Sequence, residues 1–184
     1  MTPTAGGIVE DRTGKGLQAA WDELAAPLRR VVLALGLDGH RADDILQEVF
    51  LAAHTRGPTD ADLAVWRRWL YRVTVNRCHI EYRRHRRWRE VLAGWSPRRT
   101  VESLDPGKEA QAAEREKLVR EALAALPIDE RTLLALRYLE GLDSTEMGAI
   151  LERPASTIRG QLRSARHRLA AELLRKGWDD AQEQ

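Results

Sequence analysis

Apolar residues recur at three- and four-residue intervals along most of the chain. Leu17, Trp21, Leu24, Leu28, Val31, Val32 and Leu35 form the first stripe and Gly36 ends it, which predicts a long amphipathic helix. Asp38 offers a cap ahead of a second stripe within residues 42–51, stopped by Gly57-Pro58. From Leu63 to about Arg87 there is neither proline nor glycine, and Trp66, Leu70, Val73 and Ile80 mark the packed side of a third, long helix. The pattern then dissolves between Gly94 and Gly107 into Trp95-Ser96-Pro97, Thr100, Ser103 and Asp105-Pro106-Gly107, which is turn and linker chemistry. Beyond it come an amphipathic helix near residues 110–126, a break at Pro127, a helix near 130–140 and a turn at Gly141-Leu142. Two further helical patterns follow, opened by Ser144 and Pro154. No run alternates strictly between polar and apolar, and no internal repeat is visible. The expected fold is all-α, two small helical domains joined by a flexible linker. The expected boundaries are a tail at 1–14, a first domain at 15–93, the linker at 94–109, a second domain at 110–174 and a tail at 175–184.

The last two helical patterns have the proportions of a helix-turn-helix. At about 100° per residue Ile158, Leu162, Ala165 and Leu169 share one stripe, Gly160 and His167 lie opposite, and Arg159, Arg163 and Arg166 flank them. One face packs and the other is cationic, which is what a helix entering a DNA major groove requires. The net charge of +2 and pI near 8.9 are modest, but the charge is unevenly spread. Arginines dominate residues 67–99, whereas residues 102–116 are mainly acidic. The third helix sets Arg68, Arg72, His79, Arg83 and Arg86 roughly opposite its apolar stripe, with Trp66, Trp69 and Tyr71 nearby. Two readings stand for that segment alone. The aromatics stack on unpaired bases, at about 1–3 kcal/mol per base, or they are core and the arginines a solvated face.

Other chemistry is poorly supported. The first sixteen residues lack a basic start and an apolar run, so neither a leader nor a membrane span is expected, and the cytoplasm is the expected compartment. Cys78 is the single cysteine and the five histidines are scattered, so no disulfide, metal site or cofactor is expected. Adjacent Asp43 and Asp44 diverge by about 100° on a helix and make a poor magnesium pair, so the chain is not expected to be a metal-dependent nuclease or another enzyme.

Three motifs in order extend the reading. Asp43-Asp44-Ile45-Leu46-Gln47-Glu48-Val49-Phe50 comes first and Trp69-Leu70-Tyr71-Arg72-Val73-Thr74-Val75-Asn76 second. The third is Leu126-Pro127, Leu136-Arg137-Tyr138-Leu139-Glu140-Gly141-Leu142, Pro154-Ala155-Ser156-Thr157-Ile158-Arg159 and Ala165-Arg166-His167-Arg168-Leu169. Over residues 17–172 the chain resembles an extracytoplasmic-function sigma factor of bacterial RNA polymerase. That resemblance implies a dissociable transcription-initiation subunit whose first domain opens and reads the minus-ten element and whose second reads the minus-thirty-five element. It implies that Asp43, Asp44, Gln47 and Glu48 dock on the clamp helices of the polymerase's largest subunit, and that the flap of the second subunit is a further contact. Trp66, Trp69, Arg72, Asn76, His79, Arg83 and Arg86 are implied for minus-ten DNA. The loop at 54–62, Trp66 and Asn76 would there capture a flipped base. Ser156, Thr157, Arg159, Arg163 and Arg166 are implied for minus-thirty-five DNA, and an anti-sigma protein is an implied partner. The alternative, a stand-alone helix-turn-helix regulator, leaves the first ninety-odd residues unexplained. The chain departs from the family where Glu152 replaces a common turn glycine, where Ile80 replaces aspartate and where Gly160-Gln161 replaces Ser-Arg. At Glu152 the chain either avoids a left-handed conformation or bears strain of roughly 1 kcal/mol.

Overall fold

A computed structural model describes residues 12–59, 61–91 and 108–178, and these form seven α-helices with no strand among them. In order they are α1 (Arg12–Ala34), α2 (Gly39–Arg56), α3 (Leu63–Val91), α4 (Lys108–Ala125), α5 (Ile128–Tyr138), α6 (Ser144–Leu151) and α7 (Ala155–Arg175). The all-α expectation holds. Most of the expected linker and parts of both expected tails lie outside the described residues. At their edges, α1 begins inside the expected 1–14 tail, α4 begins at Lys108, and α7 runs to Arg175.

Local chemistry starts and stops the helices where the chain must turn. Asp38 caps α2 by accepting from the Arg41 N–H at 3.0 Å. Asp143 caps α6 in a full capping box, its carboxylate accepting from the Thr145 and Glu146 N–H groups while the Glu146 carboxylate accepts from the Asp143 N–H. Trp178, unexplained by sequence, lies beneath the Arg115 guanidinium at 5.9 Å, and Lys176 pairs with Glu121 at 2.9 Å, so the end of α7 is stitched to α4.

In the first domain Leu28, Val31 and Val32 of α1, Ala42 and Val49 of α2 and Trp66, Leu70 and Tyr71 of α3 are sealed from solvent. In the second, Leu126, Leu133, Leu136, Met147, Ile158 and Ala165 do the same. The two sets merge into one buried cluster, because α1 and α3 pack against α5, and α3 also packs against α6. Polar groups stitch the junction. Arg131, buried on α5, donates to the Leu35 carbonyl at 2.6 Å and to the Ala124 and Leu126 carbonyls at 2.9 and 3.1 Å, with Tyr82 5.5 Å beneath it. These carbonyls end α1 and α4 and need donors from outside their helices. Gly36, at φ 88°, leaves room for that guanidinium, since a Cβ there would stand 2.8 Å from its Nη1. The Tyr71 hydroxyl donates to Glu140, which Arg30 also approaches at 3.4 Å. Burial and the neighbouring carboxylate raise the Tyr71 pKa above its ordinary value.

The packed side of α3 differs from the expected stripe. Ile80 is 50% exposed and Val73 only partly covered, while Tyr71, Thr74, Val75 and Cys78 are buried. The buried arc is rotated by about a quarter turn from the one read by spacing. The second domain supplies the reason, because it covers the side carrying Val75, His79 and Tyr82. Cys78 sits wholly inside and burial pushes its thiol pKa up to about 12, the reverse of a reactive thiolate.

Candidate nucleic-acid interface

α6 and α7 make a tight helix-turn-helix. Gly148 enables it, for a Cβ there would lie 2.6 Å from the Arg153 carbonyl. Glu152 closes the turn in the left-handed region at φ 56°, ψ 43°, so the chain bears the strain at this position. Arg153 braces the turn, reaching Gln161 at 3.2 Å and Asp129 at 3.1 Å. Ile158, Leu162 and Ala165 of α7 are buried, while Ser156, Thr157, Arg159, Gly160, Arg163, Arg166 and His167 are exposed. The first-turn N–H groups of α7 stand beside the two hydroxyls, and orphan donors at a helix start suit phosphate. This surface is aligned for a duplex groove.

The α3 ridge is arranged otherwise. Arg83 and Asn76 are exposed, and Arg86 lies on α3 with its side chain outside the described residues. Arg72 is turned onto the end of α6, donating from Nε to the Ile150 carbonyl at 3.1 Å, from Nη2 to Ala149 at 2.6 Å and from Nη1 to Glu152 at 2.7 Å. His79 meets the Thr132 hydroxyl at 2.9 Å, and burial lowers its pKa from the ordinary 6.5. Asn76 lines the same crevice with Arg72, His79, Asp129, Thr132 and Arg153. Arg72, Asn76 and His79 are thus brought together against the second domain.

Trp66 is packed inside the first domain rather than presented on the ridge. It is 1% exposed, edge-on to Trp69 with centroids 6.2 Å apart, and so close to Gly57 that a Cβ there would stand 2.5 Å from its ring. Stacking needs an open ring face, so Trp66 is core in this state and half-buried Trp69 is the aromatic nearest the surface. Among the described residues, those of the 54–62 segment and Asn76 are set apart along α3. Gly57 packs at Trp66, and Asn76 lies ten residues, about 15 Å, further along the helix axis.

On α2 the implied docking residues are exposed and partly engaged. Asp43 pairs with Arg29 at 2.8 Å, Asp44 with Arg41 at 3.7 Å and Glu48 with Arg77 at 3.2 Å, while Gln47 faces solvent. The Arg29 hydrogen bond lowers the Asp43 pKa. Such surface pairs are weak. Spacing missed Arg131, Glu140 and Gly148. The signals were an arginine opening an apolar run on α5, a carboxylate beside the Gly141 turn, and a glycine within a short helix. Among the described residues no helix is long and apolar enough to cross a membrane.

Two small helical domains, one presenting a cationic recognition helix and the other a basic ridge and an acidic helix, define a DNA-binding factor with a second protein-docking surface. Residues 20–88 match the family model for Sigma-70 region 2, and residues 116–169 match Sigma-70, region 4. The chain is 30% identical over 179 residues to the RNA polymerase sigma factor CnrH of Cupriavidus metallidurans, covering 90% of this chain and 93% of that one. It is 31% identical over 162 residues to the ECF RNA polymerase sigma factor SigL of Mycobacterium tuberculosis, covering 88% and 90%. Among solved structures, CnrH in complex with the cytosolic domain of CnrY matches at TM-score 0.65 and 22% identity over 89% of this chain and 90% of that one. The sigma factor RpoE in complex with the anti-sigma factor NepR from Bartonella quintana matches at 0.64 and 21% over 88% and 98%. The chain belongs to the extracytoplasmic-function sigma factors of RNA polymerase. Region 2 accounts for the residues that a stand-alone regulator left unexplained, and sigma factors are in general non-catalytic initiation factors.

Proposed function

We propose that this chain, when held by core polymerase in the cytoplasm, reads the minus-thirty-five element with α7 and opens and reads the minus-ten element with α3. The observation that carries the reading is the exposed face of α7, where Ser156, Thr157, Arg159, Arg163 and Arg166 stand opposite the buried Ile158, Leu162 and Ala165. Hydroxyls and first-turn amides position phosphate, and arginine forks reach base edges or further phosphates. On α3, Arg72, Asn76, His79, Arg83 and Arg86 are the strand-binding set, with Trp69 as the aromatic member in place of Trp66. Asp43, Asp44, Gln47 and Glu48 of α2 dock on the clamp helices of the largest subunit, and the second domain on the flap of the second subunit. The chain acts as a binding subunit and catalyses nothing itself. The neighbouring structures, solved with the cytosolic domain of CnrY and with the anti-sigma factor NepR, support an anti-sigma partner here as well.

In vitro transcription with purified sigma-free core polymerase and a fragmented genomic library tests this. Discrete start sites with a shared upstream element are expected, and no specific transcript above core polymerase alone would overturn it.

A further inference from the structure

Glu152 is, among the described residues, the one non-glycine with a positive φ. Glycine would close the α6–α7 turn with less strain in any state of the molecule, so the turn itself gives no reason for a glutamate. The carboxylate has a different contact, because it accepts from Arg72 Nη1 at 2.7 Å across the junction between the domains. The same guanidinium donates to the carbonyls of Ala149 and Ile150 at 2.6 and 3.1 Å. These belong to the last turn of α6, where carbonyls lack helical partners and the negative end of the helix dipole lies. Arg72 is therefore held on three sides by acceptors that resemble phosphate oxygens in charge and in their fit to a guanidinium fork. Asn76 and His79 line the crevice that this contact helps to close.

We propose that Glu152 is a self-latch. With the end of α6 it occupies Arg72 and adds to the hold of the helix-turn-helix domain on the strand-binding ridge of α3 until melted promoter DNA competes for that guanidinium. The proposal rests on the reading of α3 as strand-binding. It differs from inhibition by a separate protein, since every group belongs to this chain. The pair is partly solvated, Glu152 being 70% exposed, so the latch is weak by construction. One such pair changes the open-to-closed ratio by up to about fivefold, which polymerase and promoter contacts exceed easily. Arg131 to Leu35, Tyr71 to Glu140 and His79 to Thr132 set the closed geometry, and Glu152 trims its stability.

The test uses the full chain with dyes on Ala19→Cys of α1 and Ser164→Cys of α7, both exposed, with native Cys78 protected by burial. Single-molecule energy transfer on the free protein is expected to show mainly the closed distance. Glu152→Gln keeps the side-chain size and the strained backbone, whereas Glu152→Gly removes both, and each is expected to raise the open fraction by up to about fivefold. Each is also expected to raise the affinity of the free chain for a single-stranded minus-ten oligonucleotide. Unchanged distance distributions in both variants would overturn the latch whatever happens to DNA affinity, because removing a negative charge near DNA can strengthen binding alone. A larger open fraction without any gain in oligonucleotide binding would uphold the latch and refute the strand-binding role of α3. Thermal unfolding keeps the result interpretable, since Glu152→Gly, relieved of left-handed strain, is expected to melt no lower than the parent.

Discussion

Two glycines of the helix-turn-helix carry opposite burdens. Gly148 is buried, and a Cβ on it would meet the Arg153 carbonyl at 2.6 Å, an atom of the turn backbone that cannot swing aside. Gly148→Ala is expected to cost about 1–3 kcal/mol, the range for forcing an extra methyl into a packed site. Gly160 lies mid-helix on the exposed face, and a Cβ there would have no neighbour within 4 Å. There the backbone freedom of glycine is simply lost on folding, so Gly160→Ala is expected to add about 1 kcal/mol. Urea unfolding of the two variants checks both, and equal shifts in the same direction would mean that the turn can open to admit the methyl. A residue read by type alone, as a glycine in a helix, thus separates into two cases only when its neighbours are known.

At the scale of elements, α7 was the most legible part of the chain. Its Ile158, Leu162, Ala165 stripe is buried and the opposite arginine face is exposed, because one packed face and one solvated face reproduce the spacing of a single helix. The start of α6 at Ser144 was also readable, while its cap, Asp143 paired with Glu146, came only with the structure. α3 was not, because it is covered on two sides. One side buries Trp66, Leu70, Tyr71 and Cys78 inside the first domain, and the second domain then covers Val75, His79 and Tyr82, a contact between residues distant in sequence, 53 positions for His79 and Thr132, that no local period encodes. The same contact turned Arg72 from an expected solvated ridge onto the end of α6. For α7 a test follows directly. Arg163→Ala in the polymerase-bound factor is expected to weaken binding to an upstream promoter duplex by about 1–3 kcal/mol and to flatten its salt dependence. Fluorescence anisotropy at several salt concentrations measures both, and unchanged affinity would remove Arg163 from the interface. For α2, reversing the charges of Asp44 and Glu48 is expected to abolish co-purification with core polymerase while circular dichroism stays unchanged, since both carboxylates are exposed and held only by surface pairs.

At the scale of the whole molecule, the junction between the domains contains a group that titrates in a useful range. His79 is part-buried on α3 against Thr132 of α5, with Asp129 raising its pKa and Arg83 and Arg153 lowering it, and burial dominates, so its pKa falls below 6.5 in the closed form. When the domains part, the imidazole regains water and its ordinary value. Between the two values the open form therefore binds more protons, and closure gains stability as the pH rises through that interval. Above about 6.5 the His79 contribution to closure is fully present; it is lost as the pH falls through the depressed closed-form value. Energy transfer between labelled α1 and α7 is accordingly expected to report a growing open fraction as the free protein is taken from pH 8 toward pH 5.5, figures chosen to bracket the roughly 6.5 of free histidine. His79→Gln keeps a group able to hydrogen-bond Thr132 but cannot take up a proton, and is expected to flatten the profile. A profile equally steep in that variant would move the proton-sensitive contact away from the α3–α5 seam.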